Sequence, residues 1–182
     1  MKRLLLLTIC ILFFLKSEKK YAQDAWIVEL GVSLIGYKTE HAAVIGDYHV
    51  LQTPRFSVSR EINDKLSADF SSSISFVGDL GVIKNWVTYS SLNFSLRYKL
   101  YSSKFLNPYV SFGAGAANHQ VENTITLNLG LGNKYWFTES YGINTQFIYK
   151  TSDPVFSHWQ FAVGLMVDIS NRNTTRRRLW SN

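Results

Sequence analysis

Charged side chains recur at matching positions along segments in which polar and apolar residues alternate. Four of them stand about three or four residues from the same end of such a segment, on its polar side: Glu29, Asp69, Arg97 and Lys134. If these polar sides line one interior, the charges must pair, because an isolated buried charge is strongly penalised. We therefore predict an interior ionic layer, with Asp69 and Arg97 paired across one hairpin and Glu29 near Lys134 across the lumen.

Other residues that could do chemistry are sparse. One predicted loop holds two acids and two histidines, whose spacing matches no metal motif: Glu40, His41, Asp47 and His49. Ser157 and His158 are adjacent, and neighbouring residues of a strand point to opposite faces, which argues against a nucleophile–base pair. The sequence therefore predicts no catalytic site, no metal site and no cofactor, and we expect no enzyme.

The amino terminus has the pattern of a secretory signal. Residues 1–3 are a basic Met-Lys-Arg start, and residues 4–15 form an apolar run that is too short to span a bilayer. We predict a signal peptide over residues 1–23. The remaining chain carries 14 basic and 12 acidic residues and no cysteine. This near balance gives no reason to expect nucleic-acid binding.

From residue 24 to residue 170, polarity alternates with a period of two, which is typical of half-buried β-strands. The pattern predicts eight strands near residues 26–34, 53–61, 66–76, 91–100, 110–116, 125–131, 141–150 and 159–169. Strands of this length suit a tilted crossing of an apolar band about 25 Å tall. A mean hydropathy of −0.04, without any apolar run of ~18 residues, excludes a multi-helix membrane protein.

The composition of the two strand faces indicates which one is inside. The polar faces hold mainly Ser, Gly, Asn and Thr, which fit the narrow interior of a small barrel better than a surface in water. The apolar faces carry aromatic residues at both ends, as membrane interfaces do. Near one edge we expect Trp26, Tyr98, Tyr135, Phe137 and Tyr141, and near the other Phe76, Trp86, Tyr149 and Trp159.

These observations predict an all-β fold, a closed antiparallel eight-stranded up-and-down transmembrane β-barrel over residues 24–170. Longer loops at one end and shorter turns at the other agree with this architecture. The alternative is a soluble barrel whose apolar faces line a ligand cavity.

Three stretches carry a resemblance to a known family: residues 54–60 (PRFSVSR), 107–115 (NPYVSFGAG) and 129–137 (LGLGNKYWF). In these stretches the chain resembles the small OmpA/OmpX-like outer-membrane β-barrels, most closely the Bacteroidota-type outer-membrane β-barrel domain proteins. The resemblance covers essentially all of residues 24–170. It implies the barrel architecture and an outer-membrane location, and it carries no catalytic signature.

A basic segment follows the last predicted strand. Because the strand count is even, residues 171–182 lie on the same side as the amino terminus, which we expect to be the periplasm. This tail would rest on anionic headgroups or dock a partner subunit. Its candidate docking residues are four arginines and a tryptophan: Arg172, Arg176, Arg177, Arg178 and Trp180.

The predicted function is that of an integral outer-membrane barrel with a structural or interaction role, such as an accessory subunit of a larger outer-membrane assembly. Its surroundings would be outer-membrane lipid, and a protein partner would bind the lipid-facing surface or the tail. The interior ionic layer has two interpretations. It is either a structural plug or a switchable gate, and the alternative function is a narrow gated channel for ions or small solutes.

Overall fold

The computed structural model describes residues 25–38, 49–75, 78–79, 84–85, 88–119, 123–152 and 157–170. In this part of the chain, alternating polarity produces eight strands of ten residues or more. The strands are β1 (Trp26–Tyr37), β2 (His49–Glu61), β3 (Leu66–Ser75), β4 (Gly78–Asp79), β5 (Lys84–Asn85), β6 (Tyr89–Lys99), β7 (Leu106–His119), β8 (Asn123–Trp136), β9 (Tyr141–Thr151) and β10 (His158–Asp168). None of the described segments forms a helix long and apolar enough to cross a membrane. The predicted signal peptide and the predicted tail lie outside the described residues.

Eight of these strands close into one antiparallel barrel, in which every strand pairs with the next barrel strand along the chain. β10 returns to pair with β1, for example through Val28 and Val167, and thereby removes the two free sheet edges. Closure satisfies the backbone hydrogen-bonding groups within the barrel, as a lipid environment requires. β4 and β5 form a separate two-stranded sheet within the connection from β3 to β6. The predicted closed eight-stranded up-and-down barrel is confirmed.

The polar faces point into the barrel and the apolar faces point out. In β6 the alternation is strict, since Ser91, Ser95 and Arg97 are buried while Leu92 and Phe94 are more than half exposed. The alternative of a soluble barrel with an apolar cavity is therefore wrong. Five aromatic residues expected at one edge are exposed around one end of the barrel: Trp26, Tyr98, Tyr135, Phe137 and Tyr141.

The connections distinguish two ends of the barrel. At the end that we call the turn side, residues 62–65, 100–105 and 137–140 join consecutive strands. The opposite end is the loop side, where longer connections were expected. That expectation is wrong for the connection between β7 and β8. The two strands continue to pair beyond their apolar parts, as far as Asn118 opposite Asn123. Only residues 120–122 separate these two strands.

Candidate functional site

Two ion pairs and one amide form a network in the lumen. Glu29 of β1 accepts a hydrogen bond from Arg55 of β2, and Arg97 Nη2 of β6 lies 3.0 Å from Asp69 Oδ1 of β3. Gln146 Oε1 of β9 accepts from Arg55 Nη2 at 3.2 Å and from Arg97 Nη2 at 3.4 Å. All five side chains are at most 3% exposed. We call these five residues the charge network, and it joins four charges from four strands through a single amide oxygen.

Neighbouring polar side chains satisfy the outer atoms of the charge network. Ser57 Oγ donates to Asp69 Oδ2 at 2.6 Å, and Asn144 Nδ2 donates to Glu29 Oε2 at 2.8 Å. Tyr109 donates its hydroxyl hydrogen to Asn144 Oδ1 at 2.9 Å. Such additional hydrogen bonds are what allow buried charges to be tolerated, because each ion has lost its shell of water.

A pair of facing glycines makes room for the Glu29 side chain. Gly31 of β1 lies opposite Gly164 of β10. A Cβ atom on Gly31 would lie 2.1 Å from the carbonyl oxygen of Val163, and one on Gly164 would lie 2.6 Å from both Cγ and Oε1 of Glu29. The missing side chains therefore let β1 and β10 approach closely while the carboxylate of Glu29 enters the lumen.

The structure brings Asp69 and Arg97 together, although not directly opposite each other. Asp69 faces Ser95 and Arg97 faces Ser67 in the β3–β6 register, so the ion pair runs diagonally between two adjacent strands. A diagonal neighbour is well within reach of a long arginine side chain.

The structure does not join Glu29 to Lys134, and this part of the predicted ionic layer is wrong. The backbone of Arg55 faces Gly31, two residues from Glu29, so its guanidinium reaches the carboxylate along the adjacent strand. Lys134 faces Asn144 in the β8–β9 register. Within the described residues, its buried Nζ has no hydrogen-bond partner.

Arg55 and Gln146 complete the charge network, and neither was among the site residues predicted from the sequence. Both stand at inward positions of their strands, as the alternation shows, so a signal was present. Arg55 is a charge on the inward face of a strand adjacent to β1, and this position alone makes it a second possible partner for Glu29. Gln146 carries no charge, and nothing in its local sequence distinguishes it from other inward polar residues.

Closer to the loop side, three neutral side chains form a second hydrogen-bonded group in the lumen. Ser33 Oγ donates to Gln52 Oε1 at 2.7 Å, and Gln160 Nε2 donates to Ser33 Oγ at 2.8 Å and to Gln52 Oε1 at 2.7 Å. We call Ser33, Gln52 and Gln160 the amide cluster. Lys150 is fully buried nearby in the lumen, and its Nζ donates to Ser91 Oγ at 3.3 Å.

Apolar and aromatic side chains form one buried cluster at each end of the lumen. A loop-side plug consists of Ile35, Tyr37, Val50, Tyr89 and Ala117, and a turn-side plug consists of Ile27, Trp136 and Met166. All eight residues are at most 7% exposed. Among the described residues, the charge network therefore lies between these two clusters, beside which polar side chains such as His158 and Lys134 are also buried.

The remaining candidates from the sequence are separated or lie elsewhere. His158 Nε2 lies 3.0 Å from the hydroxyl of Tyr89, while Ser157 Oγ accepts from the backbone nitrogen of Ser152 at 3.1 Å. In the described ranges, no group of three or more His, Cys, Asp or Glu side chains could hold a metal ion. Several candidates lie outside the described residues: Glu40, His41 and Asp47 of the first loop, and Arg172, Arg176, Arg177, Arg178 and Trp180 of the tail.

Three solved structures with a similar fold are eight-stranded barrels of bacterial outer membranes. The amino-terminal β-barrel domain of OprF from Pseudomonas aeruginosa aligns with a TM-score of 0.59 and 14% identity, over 82% of this chain and 100% of that domain. Ail, the attachment invasion locus protein of Yersinia pestis, aligns with a TM-score of 0.54 and 13% identity, over 81% of this chain and 99% of Ail. Neisserial surface protein A gives the same TM-score and identity, over 81% of this chain and 97% of that protein.

Sequence comparisons identify no family for this chain. A scan against protein-family models finds no match, and a search of curated proteins finds none. At these low identities the structural similarity establishes the fold, which is that of the eight-stranded outer-membrane β-barrels.

Proposed function

We propose that this protein is an integral outer-membrane barrel with a structural or interaction role. Side chains fill its lumen, so that the barrel is not a channel. The observation that carries the proposal is the filled interior, in which the charge network lies between two apolar plugs. A pore needs a continuous polar path, and the buried apolar side chains of the two plugs oppose water entry. Neither catalysis nor nucleic-acid binding is part of the proposal.

The outer surface of the barrel supports the membrane location. Large apolar side chains such as Leu30, Leu129 and Leu165 are at least 60% exposed in mid-strand. In water this continuous apolar surface would be an aggregation hazard, whereas in lipid it is the expected outer face of a barrel. The Bacteroidota-type kinship remains part of the proposal and rests on the three sequence stretches alone.

Cysteine labelling tests both the membrane location and the orientation, with the turn side in the periplasm. The only native cysteine, Cys10, lies within the predicted signal peptide. We expect a membrane-impermeant maleimide to label Lys38→Cys on intact cells, because Lys38 is exposed at the loop side. Glu139→Cys, exposed at a turn, should be labelled only after the outer membrane is opened. The reverse order would contradict the orientation, and recovery of the protein in the soluble fraction would contradict membrane insertion.

A groove on the lipid-facing surface supports the interaction role. It has a volume of about 400 Å³ near the loop side and is lined partly by small and polar side chains: Ser72, Ser90, Ala116, Asn118 and Asn123. Small and hydrogen-bonding residues in a lipid-facing surface are typical of packing between membrane segments. The proposed occupant is a transmembrane segment of a partner protein, to which this barrel would be an accessory subunit.

Mild detergent extraction tests the accessory role. We expect the wild-type protein to migrate on native gels as a complex of fixed stoichiometry. Ala116→Trp, which fills the groove, should release the monomeric barrel, and deletion of residues 171–182 tests the tail as the other docking element. Leu129→Trp on the outer face of β8 is the matched control. If the wild-type protein were monomeric in every mild detergent, the accessory role would be contradicted. The proposal that the lumen is closed does not depend on this result.

A narrow gated channel is the second candidate function. It is favoured by one feature of the charge network, since both arginines share the Gln146 oxygen and could exchange carboxylate partners. Planar-bilayer recording separates the two functions. We expect no conductance steps from the purified wild type or from Arg97→Ala, because the two plugs remain. Discrete, reproducible conductance steps from either protein would contradict the closed, structural role and would support the gated channel.

A further inference from the structure

A small cavity near the turn side is lined by polar and charged side chains, and two donor atoms among them, Arg97 Nε and Lys134 Nζ, have no hydrogen-bond partner in the described part of the chain. It has a volume of about 10 Å³, and its lining includes Glu61, Arg97, Lys99, Tyr109 and Lys134. The strand register explains this gathering, since Lys134 faces Asn107, Tyr109 faces Lys99 and Arg97 faces Ser67 around one arc of the barrel wall. Such a volume is about the smallest that holds a single water-sized particle.

The charges around the cavity do not balance. Lys99 Nζ lies 2.5 Å from Glu61 Oε1, and Arg97 is already paired with Asp69. Lys134 is only 4% exposed, and among the described residues its Nζ has no hydrogen-bond partner. The Nε of Arg97 likewise has none within the described part of the chain. An ammonium and a guanidinium N–H can only donate, so both groups require an acceptor.

We infer that this cavity binds one small monovalent anion, a halide, through Lys134 Nζ and Arg97 Nε. A halide accepts from both donors and supplies the missing negative charge. A water molecule would accept from them but would leave the ammonium of Lys134 uncompensated in the barrel interior. The volume excludes polyatomic anions such as phosphate, whereas a small movement of the flexible Lys134 side chain admits a single ion. The inference rests on this geometry alone and is independent of the proposed function.

Bromide tests the site directly, because it replaces chloride and scatters anomalously. Crystals of the refolded mature barrel grown in sodium bromide should show an anomalous peak in the cavity, within hydrogen-bonding distance of Lys134 Nζ. A cavity without that peak, or one that holds only water, would overturn the inference. The measurement needs only the wild-type protein.

Unfolding in two salts tests the site in solution. We expect the barrel in detergent micelles to unfold at a higher urea concentration in sodium chloride than in sodium gluconate of equal ionic strength, because gluconate is too large to enter. Once chloride exceeds its dissociation constant, a tenfold increase should raise the folded-to-unfolded ratio about tenfold.

Two lysine variants test whether the chloride effect on unfolding comes from the cavity. Lys134→Met should lose the difference between the two salts, whereas Lys65→Met, which removes an exposed cation in a neighbouring turn, should keep it. A Lys134→Met barrel that keeps the full chloride effect would overturn the inference. If Lys134→Met does not fold, the bromide measurement on the wild type decides.

Discussion

The charge network and the amide cluster occupy one lumen and are only a few residues apart along β1, yet they stabilise the barrel in different ways. Glu29 belongs to the first and Ser33 to the second. Every charge of the network depends on an opposite charge from another strand, whereas the members of the amide cluster are neutral and can exchange hydrogen bonds among themselves. The comparison indicates that the network makes strand arrangement specific, because a wrong register would leave an ion buried without a partner.

The largest expected effect comes from removing one arginine of the network. Arg55→Met leaves Glu29, 3% exposed, with Asn144 as its remaining hydrogen-bond donor from the described contacts. An uncompensated buried charge of this kind costs about 3–5 kcal/mol. We expect a corresponding fall in the free energy of unfolding, measured by urea titration of the refolded barrel in micelles.

A double variant separates charge from packing in that experiment. Glu29→Gln combined with Arg55→Met removes both charges and keeps an amide oxygen for Asn144. We expect it to recover most of the loss, because replacing a whole buried ion pair is often neutral. If the double variant were as unstable as Arg55→Met alone, the volume of the arginine would be what matters, and the comparison would fail.

Substitution in the amide cluster should lower the free energy of unfolding less than substitution in the charge network. Gln160→Leu removes two hydrogen bonds, but Ser33 and Gln52 remain bonded to each other at 2.7 Å. We expect a loss of about 1–3 kcal/mol, since each of the two neutral hydrogen bonds contributes about 0.5–1.5 kcal/mol. The same urea titration measures it. A loss as large as that of Arg55→Met would show that charge is not the source of the difference between the two regions.

The sequence predicts the fold because a period of two assigns most residues of a strand to a face. The exception is β2, whose buried positions change from even numbers at Val50 and Gln52 to odd numbers from Arg55 onwards.

The sequence also predicts the Asp69–Arg97 pair, since β3 and β6 are consecutive barrel strands and their side chains are close in any register near the true one. The partner of Glu29 could not be predicted in this way. The β1–β2 register shifts between Gly31 and Ser33, and alternation does not specify such a shift.

The smallest expected effect belongs to the ion pair at the rim, which tests whether depth in the lumen explains the strength of the network. Lys99 and Glu61 lie 2.5 Å apart, but each is 13% exposed, so water reaches both ions. Lys99→Met should therefore cost about 1 kcal/mol or less, and the cost should shrink as sodium gluconate is added, because salt screens exposed charges. Arg55→Met, in the dry centre, should show the same loss at every salt concentration. If the loss in Lys99→Met matched that of Arg55→Met and did not change with salt, the rim would be as desolvated as the centre. The network would then extend to the turn side of the barrel.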